Sequence, residues 1–266
     1  MLWENMTSKE LEKACLESNG TCILPIGCIE KHGEHLPLGT DMITARAISI
    51  KAAEIEQTVV FPYYFLGQIA EARHMPGTIS LKPETIYGVL DELCSEISRN
   101  GFKKIIIVNA HGGNNYFLNY FAQCALSRKR DYAVYIASLF NLSDEEIKAV
   151  QEMKERIGVV DEGGHADNDE TSLIMYLSPE LVKMEYHDPK NGVNLNRLPF
   201  LNENALFTGI WWYANYPNHF AGNASMASPE QGKMLFDMGV KKLAKAIKAV
   251  KEDTETIALQ NEFFDR

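Results

Sequence analysis

The sequence predicts an α/β fold built on a largely parallel sheet, and three observations carry that prediction. Helical and strand patterns alternate along the chain. The run Lys104-Ile-Ile-Ile-Val-Asn109 is β-branched with no polar alternation, as suits a parallel strand covered on both faces. The segments that follow the two clearest strands are dense in His, Glu and Asp, at the strand ends where open α/β sheets bind ligands.

The elements follow in order. Ser8 to Leu16 predicts a short helix, and the apolar run Cys22-Ile-Leu-Pro-Ile-Gly27 a buried strand. Thr44 to Gln57 has helical periodicity and leads into the β-branched run Thr58-Val-Val-Phe61. Pro83 opens a helix that runs to about Arg99, since proline is favourable in a first turn, and Gly101 closes it. After the strand at 104–109, Asn115 to Arg130 predicts a helix and Tyr132 to Ala137 a strand. Asp144 to Arg156 predicts an exposed helix, and Asp169 to Leu177 another that Pro179 stops. The Asn-, Pro-, Gly- and aromatic-rich region from His187 to Asn223 predicts long loops with one hairpin. Pro229 to Val250 predicts an amphipathic helix, followed by a charged tail that is frayed or packed on a neighbour. With no low-complexity linker and no repeat, one domain over residues 1–266 is expected.

Composition narrows the function. A net charge of -10 argues against a nucleic-acid partner, which needs clustered Lys and Arg. The five scattered cysteines form no Cys-x-x-Cys pair, and read as reduced thiols in a cytoplasm. No basic and apolar leader opens the chain, and no apolar run approaches the ~20 residues of a membrane span. There is no His-Glu-x-x-His pair, nucleophile elbow, P-loop or dinucleotide fingerprint.

Four segments carry the chemistry. The first, Glu30-Lys-His-Gly-Glu-His-Leu-Pro-Leu-Gly-Thr-Asp41, holds five potential ligands or proton carriers, Glu30, His32, Glu34, His35 and Asp41. Carboxylates and imidazoles crowded at the end of a buried strand are costly unless a cation gathers them. In an extended chain Glu30 and His32 face the same way, and Asp41, with two oxygens, can bridge two metals. The second, Asn109-Ala-His-Gly-Gly-Asn114, offers His111 as a ligand, and its glycines let the backbone approach a metal or anion; alone it could equally be a turn. In the third, Gly163-Gly-His-Ala-Asp-Asn-Asp-Glu-Thr171, His165 and Glu170 are candidates, while Asp167 and Asp169 read as helix-start residues. The fourth, His74-Met-Pro-Gly-Thr-Ile-Ser80, is a turn in which His74 can line a substrate site. Trp211-Trp212-Tyr213 reads as a pocket wall, core or subunit contact; His187 and His219 have no partner pattern and read as structural.

Together these segments resemble the creatininase family. The resemblance rests on Pro25-Ile-Gly27, Glu30-x-His-Gly-x-His-Leu-Pro-x-Gly-Thr-Asp41, Pro76-Gly-Thr78, Asn109-x-His-Gly-Gly-Asn114 and Gly164-His-Ala-x-x-x-Glu-Thr-Ser172. It implies a three-layer α/β/α sandwich with a mainly parallel sheet. It also implies a homohexamer and two divalent metal ions per chain, zinc first, with manganese or iron as alternatives. By position it makes Glu30, His32, Asp41 and His111 metal ligands, Asp41 bridging, and His165 the catalytic histidine. Two places depart from creatininase proper. Its further ligand glutamate falls at Gly113 here, and Glu170 is nominated instead; its tryptophan before the catalytic histidine has no counterpart in Val160-Asp-Glu-Gly-Gly164. These departures point away from creatinine. The expected function is a metal-dependent hydrolase of a C–N amide bond, other than a peptide bond, in a small or cyclic substrate, with hydroxide on the metals as nucleophile. Gly112 and Gly113 would help hold the substrate through their backbone amides. The alternatives are a formamide deformylase on a nucleotide-like substrate, or a metal-bound binding protein without catalysis.

Overall fold

The computed structural model describes residues 1–139, 143–158 and 164–266. Its sheet has four parallel strands in the order β2-β1-β3-β4: β1 is Thr21–Ile26, β2 Val59–Val60, β3 Lys104–Asn109 and β4 Ala133–Ser138. The helices are α1 (Ser8–Glu17), α2 (Thr40–Ile55), α3 (Pro83–Arg99), α4 (Asn114–Gln123), α5 (Asp144–Ile157), α6 (Asn168–Leu177), α7 (Phe200–Glu203), α8 (Trp211–Asn215), α9 (Pro229–Glu252) and α10 (Glu255–Asp265).

Strand residues alternate between two cores. Ile23, Ile106 and Val108 pack with Ala45 and Ile48 of α2 and with Val240 and Leu243 of α9. Cys22, Leu24, Ile105 and Ile107 pack with Ala14 of α1, Leu90 and Ile97 of α3 and Leu118 of α4. Side chains two apart on a strand share a face, so a β-branched run without polar positions supplies both layers. The result is the expected three-layer sandwich.

The chain leaves β1 for β2 on one side and then crosses to β3 on the other. The β1–β3 pair is therefore a topological switch point, where connections diverge and leave a crevice beyond the carboxyl ends. Ile26 pairs with Asn109 at that end, so the segments after both strands start side by side.

Several expected elements are corrected. α2 begins at Thr40 rather than Thr44, which brings Asp41 into its first turn. The helix predicted to reach Arg130 ends at Gln123 and tightens into a 3-10 turn over Cys124–Ser127. No hairpin forms between His187 and Asn223 among the described residues; α7, α8 and short 3-10 turns stand there. The charged tail is ordered as α10, whose Gln260 Nε2 donates to the Tyr132 carbonyl at 3.0 Å. Just before it, the Tyr135 hydroxyl donates to Asp253 Oδ2 at 2.5 Å, which holds the tail beside β4. Residues Val160–Gly163, part of the departure from creatininase proper, lie outside the described residues. Among the described residues no helix is long and apolar enough to cross a membrane.

Candidate metal centre

Five of the sequence-predicted residues converge beyond the ends of β1 and β3. Glu30, His32, Asp41 and His111 are all buried, and Glu170 reaches in from the first turn of α6. Gly27 makes the approach possible, because a Cβ there would lie 2.7 Å from Asp41 Cβ and 2.8 Å from the Met42 nitrogen. Asp41 Oδ1 lies 3.1 Å from His32 Nε2, and its Oδ2 lies 3.2 Å from His111 Nδ1. The two carboxylate oxygens of one residue thus face two different imidazoles.

Three sets of donor atoms lie within 4.8 Å of one another: Cys28, Glu30, Asp41 and His111; His32, Asp41 and Glu170; and Glu30, His32 and His165. Asp41 belongs to the first two sets. Backbone carbonyls decide which ring nitrogen carries a proton. His32 Nδ1–H donates to the Glu30 carbonyl at 3.2 Å, and His111 Nε2–H donates to the Gln68 carbonyl at 2.8 Å. Each ring therefore turns its other nitrogen, with a lone pair when neutral, toward carboxylate oxygens. Glu30 Oε1 is buried without a hydrogen bond, although His111 Nδ1 is 2.7 Å away. Lone pairs converging in a dry pocket repel unless a cation stands between them. This residue set fits divalent metal ions, with mixed nitrogen and oxygen donors suited to zinc, manganese or iron.

The electrostatics show the same demand for positive charge. Burial opposes charge on His32, but Asp41, Glu170 and Glu30 outweigh it and push its pKa up to about 10. His111 behaves alike: burial lowers it, while Cys28, Glu30 and Asp41 hold it well above the ordinary range. Burial raises Glu170 to about 7, with His32 opposing. Protons on the histidines do here what metal ions would do.

His165 stacks beside His32 with ring centroids 4.3 Å apart. Its Nε2–H donates to the Lys31 carbonyl at 2.8 Å, and its Nδ1 lies 3.9 Å from Glu170 Oε2. Burial pulls it down to about 4 against the pull of Glu30, so the ring is neutral. Ala166, next to it, has φ +55°, and its N–H donates to Glu170 Oε2 at 2.5 Å. Asp167 caps α6 by accepting from the Asp169 and Glu170 amides. Glu170 thus closes its own helix start while facing His32 at 3.8 Å.

The substrate-side residues line one cavity of about 1110 Å³ with the donor cluster. His74 is exposed and donates to the Pro217 carbonyl at 3.0 Å, against the edge of Tyr213. Gly112 lines open space, whereas a Cβ at Gly113 would meet His111 Nε2 at 2.5 Å and Glu71 Oε1 at 2.6 Å. A side chain at Gly113 would therefore press on His111 and Glu71, while Glu170 comes from the first turn of α6. Trp211, Trp212 and Tyr213 line the same cavity.

Two residues of the opening segment stand apart from the centre. Glu34 pairs with Lys31 at 2.6 Å, and His35 bonds Thr171 Oγ1 at 3.0 Å. Two others were missed. Cys28 Sγ lies 3.3 Å from Asp41 Oδ2, and His219 Nε2 lies 2.5 Å from Glu30 Oε2. His219 comes from a distant loop with no motif around it; Cys28 was two residues before Glu30 and readable only as a small core residue.

Comparison with known proteins finds relatives along most of the chain. The family described as "Creatininase: Creatinine amidohydrolase" matches residues 4–247. The chain is 24% identical over 256 residues to a creatinine amidohydrolase of Pseudomonas putida, across 91% of this chain and 94% of that one. It is 26% identical over 275 residues to a 3-dehydro-scyllo-inosose hydrolase of Thermotoga maritima, across 94% and 83%. A solved structure titled "Creatininase Mn" superposes with a TM-score of 0.75 at 23% identity, over 95% of this chain and 99% of that one. With a match across nearly the whole chain, the same fold and its motifs gathered in one buried centre, this protein belongs to the creatininase family of amidohydrolases.

Proposed function

We propose that the protein is a metal-dependent hydrolase of a C–N amide bond, other than a peptide bond, in a small substrate. The observation that carries this reading is the shared carboxylate of Asp41, with one oxygen toward His32 and the other toward His111. Glu30, Asp41 and His111, with Cys28 beside them, would form one ligand set, and His32, Asp41 and Glu170 the other. Two divalent ions held there, zinc first, would supply Lewis acidity for a carbonyl oxygen and an activated water as nucleophile.

The protein's own groups do the rest. Backbone carbonyls hold both ligand imidazoles in the tautomer that offers a lone pair inward. Neutral His165 can accept a proton at Nδ1 and pass it to the departing nitrogen, while its Nε2–H stays on the Lys31 carbonyl. Gly112 and Gly113 leave the backbone bare beside the centre, and His74 stands at the aromatic wall. A cytoplasmic homohexamer belongs to the same reading; exposed apolar side chains such as Phe207 and Ile210 support self-association of some kind.

The second reading, a formamide deformylase on a nucleotide-like substrate, is favoured by one observation. The cavity is far larger than a five-membered lactam and is walled by aromatic rings packed edge to face. A screen of metal-loaded protein against lactams and formamidopyrimidines tests both. Turnover of lactams supports the first, and release of formate from formamidopyrimidines the second. No turnover of any amide by protein with both metals bound contradicts both, and leaves a binding protein.

A further inference from the structure

We propose that Trp212 and His219 are positioning residues that lock the Glu30 carboxylate with one oxygen free for a cation. An indole N–H only donates. Trp212 Nε1 donates to His219 Nδ1 at 2.8 Å, so that ring nitrogen must hold the lone pair. The proton of a neutral His219 therefore sits on Nε2, which donates to Glu30 Oε2 at 2.5 Å. The opposite tautomer would set an N–H against the indole N–H and leave Glu30 without its donor.

The consequence falls on the other oxygen. With Oε2 engaged, Glu30 Oε1 is left buried and without a hydrogen bond, turned toward His111 Nδ1. A carboxylate held in this way offers one oxygen and one direction to an ion, as an outer partner of a ligand does. The backbone supports a held arrangement. His219 has φ +51°, a left-handed conformation that costs a non-glycine residue energy unless contacts around it compensate. The side chain is 2% exposed, and the loop is tied by His219 N–H to the Tyr216 carbonyl at 3.0 Å. His219 also packs against His165 at a tilt, with centroids 4.4 Å apart, so the same ring borders the proposed proton carrier. Trp212 stands in the cavity wall, which links that wall to the orientation of a ligand.

This inference rests on the metal reading of the centre, and its test separates the two. Metal-free wild type, Trp212→Phe, His219→Gln and His219→Ala are titrated with Zn²⁺ against a chromophoric chelator. The visible spectrum of each Co²⁺ form is recorded alongside. His219→Ala is expected to lose about 10–100-fold in Zn²⁺ affinity with an altered Co²⁺ spectrum. Trp212→Phe, which keeps the aromatic bulk and removes only the donor, is expected to lose part of that. His219→Gln, whose amide can accept from Trp212 and donate to Glu30, is expected to recover most of it. Wild-type affinity and spectrum in both His219→Ala and Trp212→Phe would overturn the positioning role while leaving the metal centre intact. Should His219→Ala fail to fold, Trp212→Phe decides alone. Failure of wild type to bind either ion would overturn the metal reading and the positioning role with it.

Discussion

Glu30 and Asp41 belong to buried clusters in which each oxygen has a separate neighbour, so removing one charge should empty the centre. Glu30→Gln and Asp41→Asn are each expected to weaken metal binding by more than the roughly 10–100-fold typical of outer partners, and to lose turnover with it. Metal analysis and activity on the same preparation check this. His165→Ala should behave differently, retaining both ions while turnover falls about 10²–10⁴-fold. Full turnover in that variant would remove His165 from proton transfer. Gly113→Ala would press a methyl onto His111 Nε2, which the Gln68 carbonyl holds in place. A stability loss of about 1–3 kcal/mol in denaturant melts is expected. At this scale the sequence disclosed the residues clustered within short motifs, because Glu30, His32 and Asp41 fall within a dozen positions after a strand. It did not disclose His219, whose contact with Glu30 spans 189 positions and follows from loop packing alone.

At the scale of elements, two helix starts aim carboxylates at the centre. Asp41 lies in the first turn of α2 and Glu170 in the first turn of α6, where a carboxylate is favoured by the helix dipole. Asp167 holds the start of α6 by accepting two amides. Asp167→Ala is expected to cost ~1 kcal/mol and to loosen Glu170, so the ion facing His32 should be the first lost on dilution. Equal retention of both ions would show that Glu170 does not depend on that cap. β3 was legible because an uninterrupted β-branched run has few alternatives to a buried parallel strand. The early start of α2 was not, since Pro37 and Gly39 read as a turn while Gly39 serves as the N-cap without a side-chain bond. α10 was missed because its amphipathic signal is weak beside its charge, and its order comes from contacts with the 132–135 region far along the chain.

At the scale of the whole molecule, protons and metal ions compete for one centre. In the metal-free protein His32, raised from 6.5 to about 10, contributes stability that is complete below 6.5 and is lost as pH rises through 10. Glu170, raised from 4.5 to about 7, resists ionisation in the folded state, so stability is also lost as pH rises from 4.5 through 7. Both signs agree. With a chelator present, the melting temperature should fall between about pH 6 and 10, and metal should bind more tightly over the same range. Each ion at a hundred times its Kd should restore about 2.7 kcal/mol, on the order of 5–10 °C in Tm. A chelated protein whose melting does not change across that range would argue against this proton balance.

The fold class and the side of the sheet that binds were readable from strand and motif order, while the cavity's aromatic wall on α8 was only one of three readings that Trp211-Trp212-Tyr213 allowed. The most direct test of the central claim is the metal content of gently purified protein, by elemental analysis, for wild type and Glu170→Gln together. Two ions per chain in wild type and about one in the variant are predicted. Wild-type protein that holds no metal, even after zinc or manganese is supplied, would contradict the account.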